Sequence, residues 1–90
     1  FALLQNFPNP FNPETTIKYN VASGSNVSLR IYNVVGQVVR TLVAEQQNAG
    51  RYTVRWNGAD DRGVSVSSGI YFYQISAGNF SDVKKLMLLK

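Results

Sequence analysis

Ninety residues make one domain, near the lower limit for an independent hydrophobic core. A composition that is 44% hydrophobic and 16% charged excludes a disordered chain, and the absence of cysteine and histidine excludes disulfides, thiolate metal sites and the usual nucleophile–base pairs. The net charge of +4 comes from basic residues scattered along the chain rather than clustered in a stripe, so nucleic-acid binding is not expected.

The chain opens at Phe1 without a methionine or a signal peptide and reads as a fragment of a longer protein. Residues 1–14 form a Pro/Asn-rich lead-in that holds Pro8, Pro10 and Pro13. Each proline pushes the residue before it toward extended geometry, so the lead-in can follow a sheet edge but cannot be a central strand. Ala2–Phe7 has room for a short edge strand. Residues 15–90 are expected to make the folded sandwich.

Thr15 to Val21 alternates cleanly, with Thr15, Ile17, Tyr19 and Val21 on one face. Ser23 to Asn26 signals a turn, and Val27, Leu29 and Ile31 repeat the alternation, so the two stretches read as a hairpin. A turn centred on Gly36 leads into a third strand over Val38 to Val43. That strand is apolar on both faces, which predicts deep burial or pairing on both sides. Ala44 to Gly50 is a polar connection with room for one helical turn at Glu45-Gln46-Gln47. Arg51 to Trp56 alternates again and points Tyr52, Val54 and Trp56 inward. A polar loop spans Asn57 to Ser68, and Ile70 to Ser76 follows with Tyr71, Tyr73 and Ile75 on a shared face. Ala77-Gly78-Asn79 signals a tight hairpin into the last strand, within Phe80 to Leu89. No segment has helical periodicity, and no apolar run approaches the ~20 residues of a membrane helix. Short strands separated by regular turn signals indicate an all-β fold, an antiparallel immunoglobulin-like β-sandwich.

Acid–base chemistry would have to draw on Glu14, Glu45, Asp60, Asp61 and Asp82, which sit in turns or at strand ends without a poised pair, so no enzyme activity is expected. Asn57, Asp60 and Asp61 offer oxygens in a glycine-containing loop, but the spacing is not that of a calcium loop and the terminal bidentate glutamate is missing. Bonds from those side chains to nearby backbone N–H groups are the simpler reading. No metal or other cofactor is expected. Trp56, Tyr52, Tyr71 and Tyr73 could stack on sugar rings, yet their alternation with Arg51, Thr53, Arg55 and Gln74 turns them inward as core. Tyr32 and Phe72 fall on the opposite faces of their strands and are better placed for an exposed contact. The tail from Val83 to Lys90 carries three lysines and four consecutive large apolar residues. It reads equally as a closing strand with lysines guarding its edge, or as a strand-forming segment for another β-rich protein.

Four blocks of sequence carry a resemblance. Leu4 to Pro13, Ile31 to Val39, Ser68 to Tyr71 followed by Tyr73, and Lys84 to Lys90 resemble, in order, the motifs of type A C-terminal sorting domains of the type IX secretion system. Trp56 through Tyr71 is also similar to the immunoglobulin-like domain of flagellar hook-capping proteins, although Asn57 stands where that family commonly has aspartate. The resemblance implies a seven-stranded sandwich at the C-terminus of an exported protein, read by the outer-membrane type IX translocon. A surface sortase that removes it, a covalently attached N-terminal cargo, and a cell-surface or extracellular location follow from the same resemblance. Recognition would map onto Gly69, Tyr71, Lys84, Lys85 and Lys90, with Gly36 structural. A spacer or carbohydrate-binding accessory module, and a hook-cap-like assembly module, are the other readings.

Overall fold

Period-two alternation of apolar side chains gives each strand one face to bury, and two sheets stacked face to face satisfy all of them. The computed structural model describes residues 1–90 and contains seven strands and no helix. These are β1 (Ala2–Leu3), β2 (Thr15–Val21), β3 (Ser25–Tyr32), β4 (Val38–Gln47), β5 (Gly50–Trp56), β6 (Gly69–Ala77) and β7 (Phe80–Leu88). All neighbouring strands run antiparallel, in one sheet ordered β1-β2-β5 and a second ordered β4-β3-β6-β7. The core between them is built from Ile17 and Tyr19 of β2, Leu29 and Ile31 of β3, Tyr73 and Ile75 of β6, and Leu86 and Leu88 of β7, all at most 1% exposed. Burial of each such side chain contributes roughly 1.5–3 kcal/mol.

Three expectations need correcting. The stretches at β2 and β3 do not form a hairpin: β2 pairs β1 and β5, whereas β3 pairs β4 and β6. Their buried faces meet across the core instead, and alternation alone cannot distinguish strands that stack from strands that pair. Glu45 to Gln47 make no helical turn but extend β4, opposite Val27 to Ser25. The link from β4 to β5 is therefore only Asn48 and Ala49. Nor is β4 paired on both sides, because it is the edge of its sheet and its apolar residues are half-buried or exposed. Its register against β3 is irregular, and Val39, Leu42 and Val43 all pack partly against the core while Val38 is exposed.

The lead-in seals one flank of the sandwich. It pairs with β2 through β1 and through Phe7 and Thr16, then crosses to the other sheet, where Phe11 lies parallel to Leu88. Phe11 N–H donates to Met87 O, and Leu89 N–H donates to Phe11 O, both at 3.0 Å. Side chains extend this seam: Asn9 Oδ1 accepts from Met87 N–H at 3.0 Å, and Gln5 Nε2 donates to Lys85 O at 2.9 Å. A buried polar cluster anchors the crossing. The Tyr73 hydroxyl accepts from Asn6 N–H at 2.8 Å and donates to Leu4 O at 2.7 Å, while Asn6 Nδ2 donates to Thr15 Oγ1 at 2.9 Å.

The Asn33 side chain braces the turn between β3 and β4 alongside two backbone bonds, Asn33 N–H to Gln37 O and Gly36 N–H to Asn33 O. Asn33 Oδ1 accepts from Val35 N–H at 3.1 Å and Gln37 N–H at 3.0 Å, and Gly36 completes the turn at φ +84°. A Cβ at Gly36 would meet nothing within 4 Å, so the cost of a side chain there is backbone strain alone. Gly36→Ala is expected to lower stability by about 1–2 kcal/mol in urea denaturation. A change near zero would mean that the turn relaxes to another geometry.

Candidate functional site

One end of the sandwich collects stretches that are far apart in sequence: the Asn33–Gln37 turn, the 57–68 loop, the start of β6 and the residues after β7. Local chemistry shapes the loop first. Trp56, 1% exposed, donates from Nε1 to Ala59 O at 2.8 Å, and Asn57 Oδ1 accepts from Ala59 N–H at 3.2 Å. Asp60 Oδ1 accepts from the N–H groups of Val64 at 3.0 Å and Arg62 at 2.9 Å, with the Arg62 guanidinium 3.0 Å from Oδ2. Those bonds, led by the one from Val64, hold the Asp60 carboxyl below its ordinary range. Asp61 then fastens the loop to the outer edge of β4: its Oδ1 accepts from Thr41 N–H at 2.9 Å and its N–H donates to Val39 O at 3.0 Å. The acidic side chains of the loop are thus occupied with backbone groups, and nowhere do three His, Cys, Asp or Glu side chains gather as a metal site would need.

Between the turn and the loop runs a groove of two adjoining hollows, about 420 and 530 Å³, that share Asn33, Val39 and Val66. The smaller is walled by Val34, Gly69, Ile70 and Tyr71. The larger is polar and walled by Gln37, Asp60, Asp61 and Arg62. Val34 and Val35 stand 69% and 73% exposed on the turn, and Ile70 is 38% exposed beside them. Two blocks quoted above, Ile31 to Val39 and Ser68 to Tyr71, therefore face each other across one groove.

The site residues expected from sequence divide into groups. Gly69 pairs with Leu88 at the groove. Tyr71 is buried; its ring meets Trp56 edge-on at 5.5 Å and its hydroxyl donates to Ser67 O at 2.7 Å, so it shapes the groove from beneath. Lys90 is exposed and reaches back across the same end, its N–H donating to Ser68 Oγ at 3.0 Å and its ammonium to Ser65 Oγ. Lys84 and Lys85 lie lower on β7, opposite Tyr73 and Phe72, and point to opposite faces of the sheet. The structure thus gathers Gly69, Tyr71 and Lys90, but not the other two lysines. Sequence reading missed Val34, Val39, Val66 and Ile70 as lining residues. The available signal was the pair Val34-Val35, two β-branched apolar residues inside a turn where polar residues are usual.

The aromatic residues read as core lie there: Trp56, Tyr71 and Tyr73 are buried, and Tyr52 is half-buried against Tyr19. Tyr32 and Phe72 are cross-strand neighbours on the outer face of the four-stranded sheet and are partly exposed.

A family model described as the FlgD Ig-like domain matches residues 12–81. No curated protein matches the chain. Among solved structures, PorZ is described as an essential bacterial surface component of the type-IX secretion system of Porphyromonas gingivalis. It is similar over 99% of this chain with a TM-score of 0.67 and 18% identity. FlgD from P. aeruginosa is similar over 82% of this chain, with a TM-score of 0.63 and 24% identity. The chain spans 12% of the former protein and 58% of the latter.

Proposed function

This chain belongs to the FlgD Ig-like domain family, and we propose that within it the domain serves as a non-enzymatic sorting domain of the type A kind. In this reading it directs an attached cargo protein through the type IX outer-membrane translocon to the cell surface or medium, with a surface sortase as a further partner. The observation that carries the proposal is the placement of the resembling blocks. Separated by up to most of the chain, Phe11 of the first, the turn of the second, the start of β6 and the end of the tail all meet at one end of the sandwich. The likeness of fold to part of PorZ, itself described as a type-IX component, agrees with that reading. Gly69 and Tyr71 would shape the recognised groove, and Lys84, Lys85 and Lys90 would supply charge around the last strand. The burial of Trp56, Tyr71 and Tyr73 removes the main support for a sugar-binding platform.

The test is export of a reporter fused to residues 1–90 in a bacterium with type IX machinery. Deleting the tail would be uninformative, because Leu86 and Leu88 are 0% and 1% exposed and their loss would unfold the domain. Replacing Lys84, Lys85 and Lys90 with serine removes three charges, and none of the three is a fully buried side chain, although half-buried Lys84 lies beside the core. Export is expected to fall at least about tenfold, the equivalent of ~1.4 kcal/mol of recognition, with circular dichroism unchanged. Undiminished export of the folded triple variant would take the lysines out of the mechanism. No export of the unaltered, folded fusion would end the sorting proposal.

A further inference from the structure

The two flanks of the sandwich differ. The lead-in covers the side where β1 and β7 meet; on the other side, where β5 and β4 are the outer strands of their sheets, the 57–68 loop occupies the β4 edge at Val39 and Thr41, and the β5 edge is left bare. On β2, Thr16 and Lys18 bond toward the lead-in, so Thr15, Ile17 and Tyr19 bond toward β5. Their partners Trp56, Val54 and Tyr52 are turned inward to β2, which leaves the N–H and C=O groups of Arg51, Thr53 and Arg55 directed outward. None of these outward groups accepts or donates a bond to a turn, a loop or a side chain. Below this edge, Leu42 and Val43 of β4 and Tyr52 and Val54 of β5 remain half-buried at the mouth of the core.

We propose that the β5 edge is a docking site for an extended acidic segment of a partner protein, which adds as a fourth strand beside β5. Charge decides the occupant. Arg51 and Arg55 are exposed on the outer face, with exposed Lys18 opposite Thr53 between them; Glu14, 3.9 Å from Arg55, is the one acid paired there. A second copy docking edge to edge in antiparallel fashion about Thr53 would set Arg51 against Arg55 of the copy, and like charges directly opposite are unfavourable. An incoming strand with acidic residues at alternate positions meets those cations on the outer face. Its intervening apolar residues then fall over Leu42, Tyr52 and Val54 at the mouth. The arginines thus act in both directions, repelling self-association and selecting an acidic strand. The site lies on the opposite flank from the lead-in seam and β7, and the inference does not rest on the sorting role.

The probe is a synthetic peptide of about seven residues that alternates valine and glutamate; one alternating valine and lysine is the control. Binding to the 90-residue chain is followed by amide exchange and chemical shifts. The Val/Glu peptide is expected to slow exchange at Arg51, Thr53 and Arg55 by roughly tenfold or more at saturation, and the Val/Lys peptide to leave them unchanged. Arg51→Glu with Arg55→Glu, both surface changes, should weaken binding at least about fivefold. Thr53→Pro removes an outward N–H without breaking the ladder to β2 and should abolish it. The proposal is overturned if no protection develops at these three amides, if both peptides bind alike, or if the folded arginine double variant binds as the parent does.

Discussion

Trp56→Ala is expected to lower the unfolding free energy by about 3–5 kcal/mol. Three contacts set that figure. The indole is 1% exposed, Phe11 lies against it at 5.6 Å with a tilt of 54°, and Tyr71 meets it edge-on at 5.5 Å. Its N–H satisfies Ala59 O, so alanine both opens a cavity and strands a buried carbonyl. In a domain of this size the loss corresponds to a melting temperature lower by on the order of 20 °C, measurable by calorimetry. Trp56→Phe separates the two causes, since it keeps most of the packing and removes only the donor; a loss of ~1–2 kcal/mol is expected. A Trp56→Ala loss below about 1 kcal/mol would show that the three aromatic rings do not pack as a unit.

The second large effect is alkaline. Burial pushes the Tyr73 hydroxyl up to about 12 from the ordinary 10.0, with Asp82 adding to the rise and the bond from Asn6 N–H opposing it. The folded value lies above the unfolded one. The neutral hydroxyl therefore contributes stability that is complete below pH 10 and is lost as pH rises through 12. The loss amounts to roughly 2–3 kcal/mol, since each unit is worth about 1.36 kcal/mol. Burial raises Tyr19 as well, so some alkaline loss persists without Tyr73. Tyr73→Phe should be less stable near neutrality by about 1–3 kcal/mol, because Asn6 N–H and Leu4 O lose their shared partner. Its stability should then fall less steeply between pH 10 and 12. Equal slopes in parent and variant, from urea titrations at each pH, would remove Tyr73 from the alkaline transition.

How far the chain could be read before its structure follows from the range of each interaction. Thr15–Val21 was legible to the residue, because strict alternation between a burying and a solvated face is local information. The pairing of that strand was not, since Ile17 and Leu29 show the same pattern whether their strands lie side by side or face to face. The end of β4 was hidden for a related reason: Glu45-Gln46-Gln47 has polar composition, and only the ladder to Ser25–Val27 makes it a strand. Bonds within the 57–68 loop were foreseeable because Asp60 and Asn57 reach backbone groups only a few residues away. The Asn6–Tyr73 bond joins residues 67 apart, and no local pattern marks Asn6 as buried. The groove fails to show in the sequence for the same reason, its walls being supplied by the β3–β4 turn and the start of β6.

The parallel seam between Phe11 and Leu88 has a mechanical consequence. Phe1 stacks on Phe80 at one end of a body 37 Å long, whereas Lys90 reaches Ser65 and Ser68 at the other. Tension applied through the two ends of the chain would pull the lead-in and β7 past each other along their length. The Phe11–Met87 and Leu89–Phe11 bonds, with the side-chain bonds of Asn9 and Gln5, would then be loaded together in shear rather than opened one after another. A domain strung between a tethered neighbour and a pulling partner would hold its shape until that whole seam gave way.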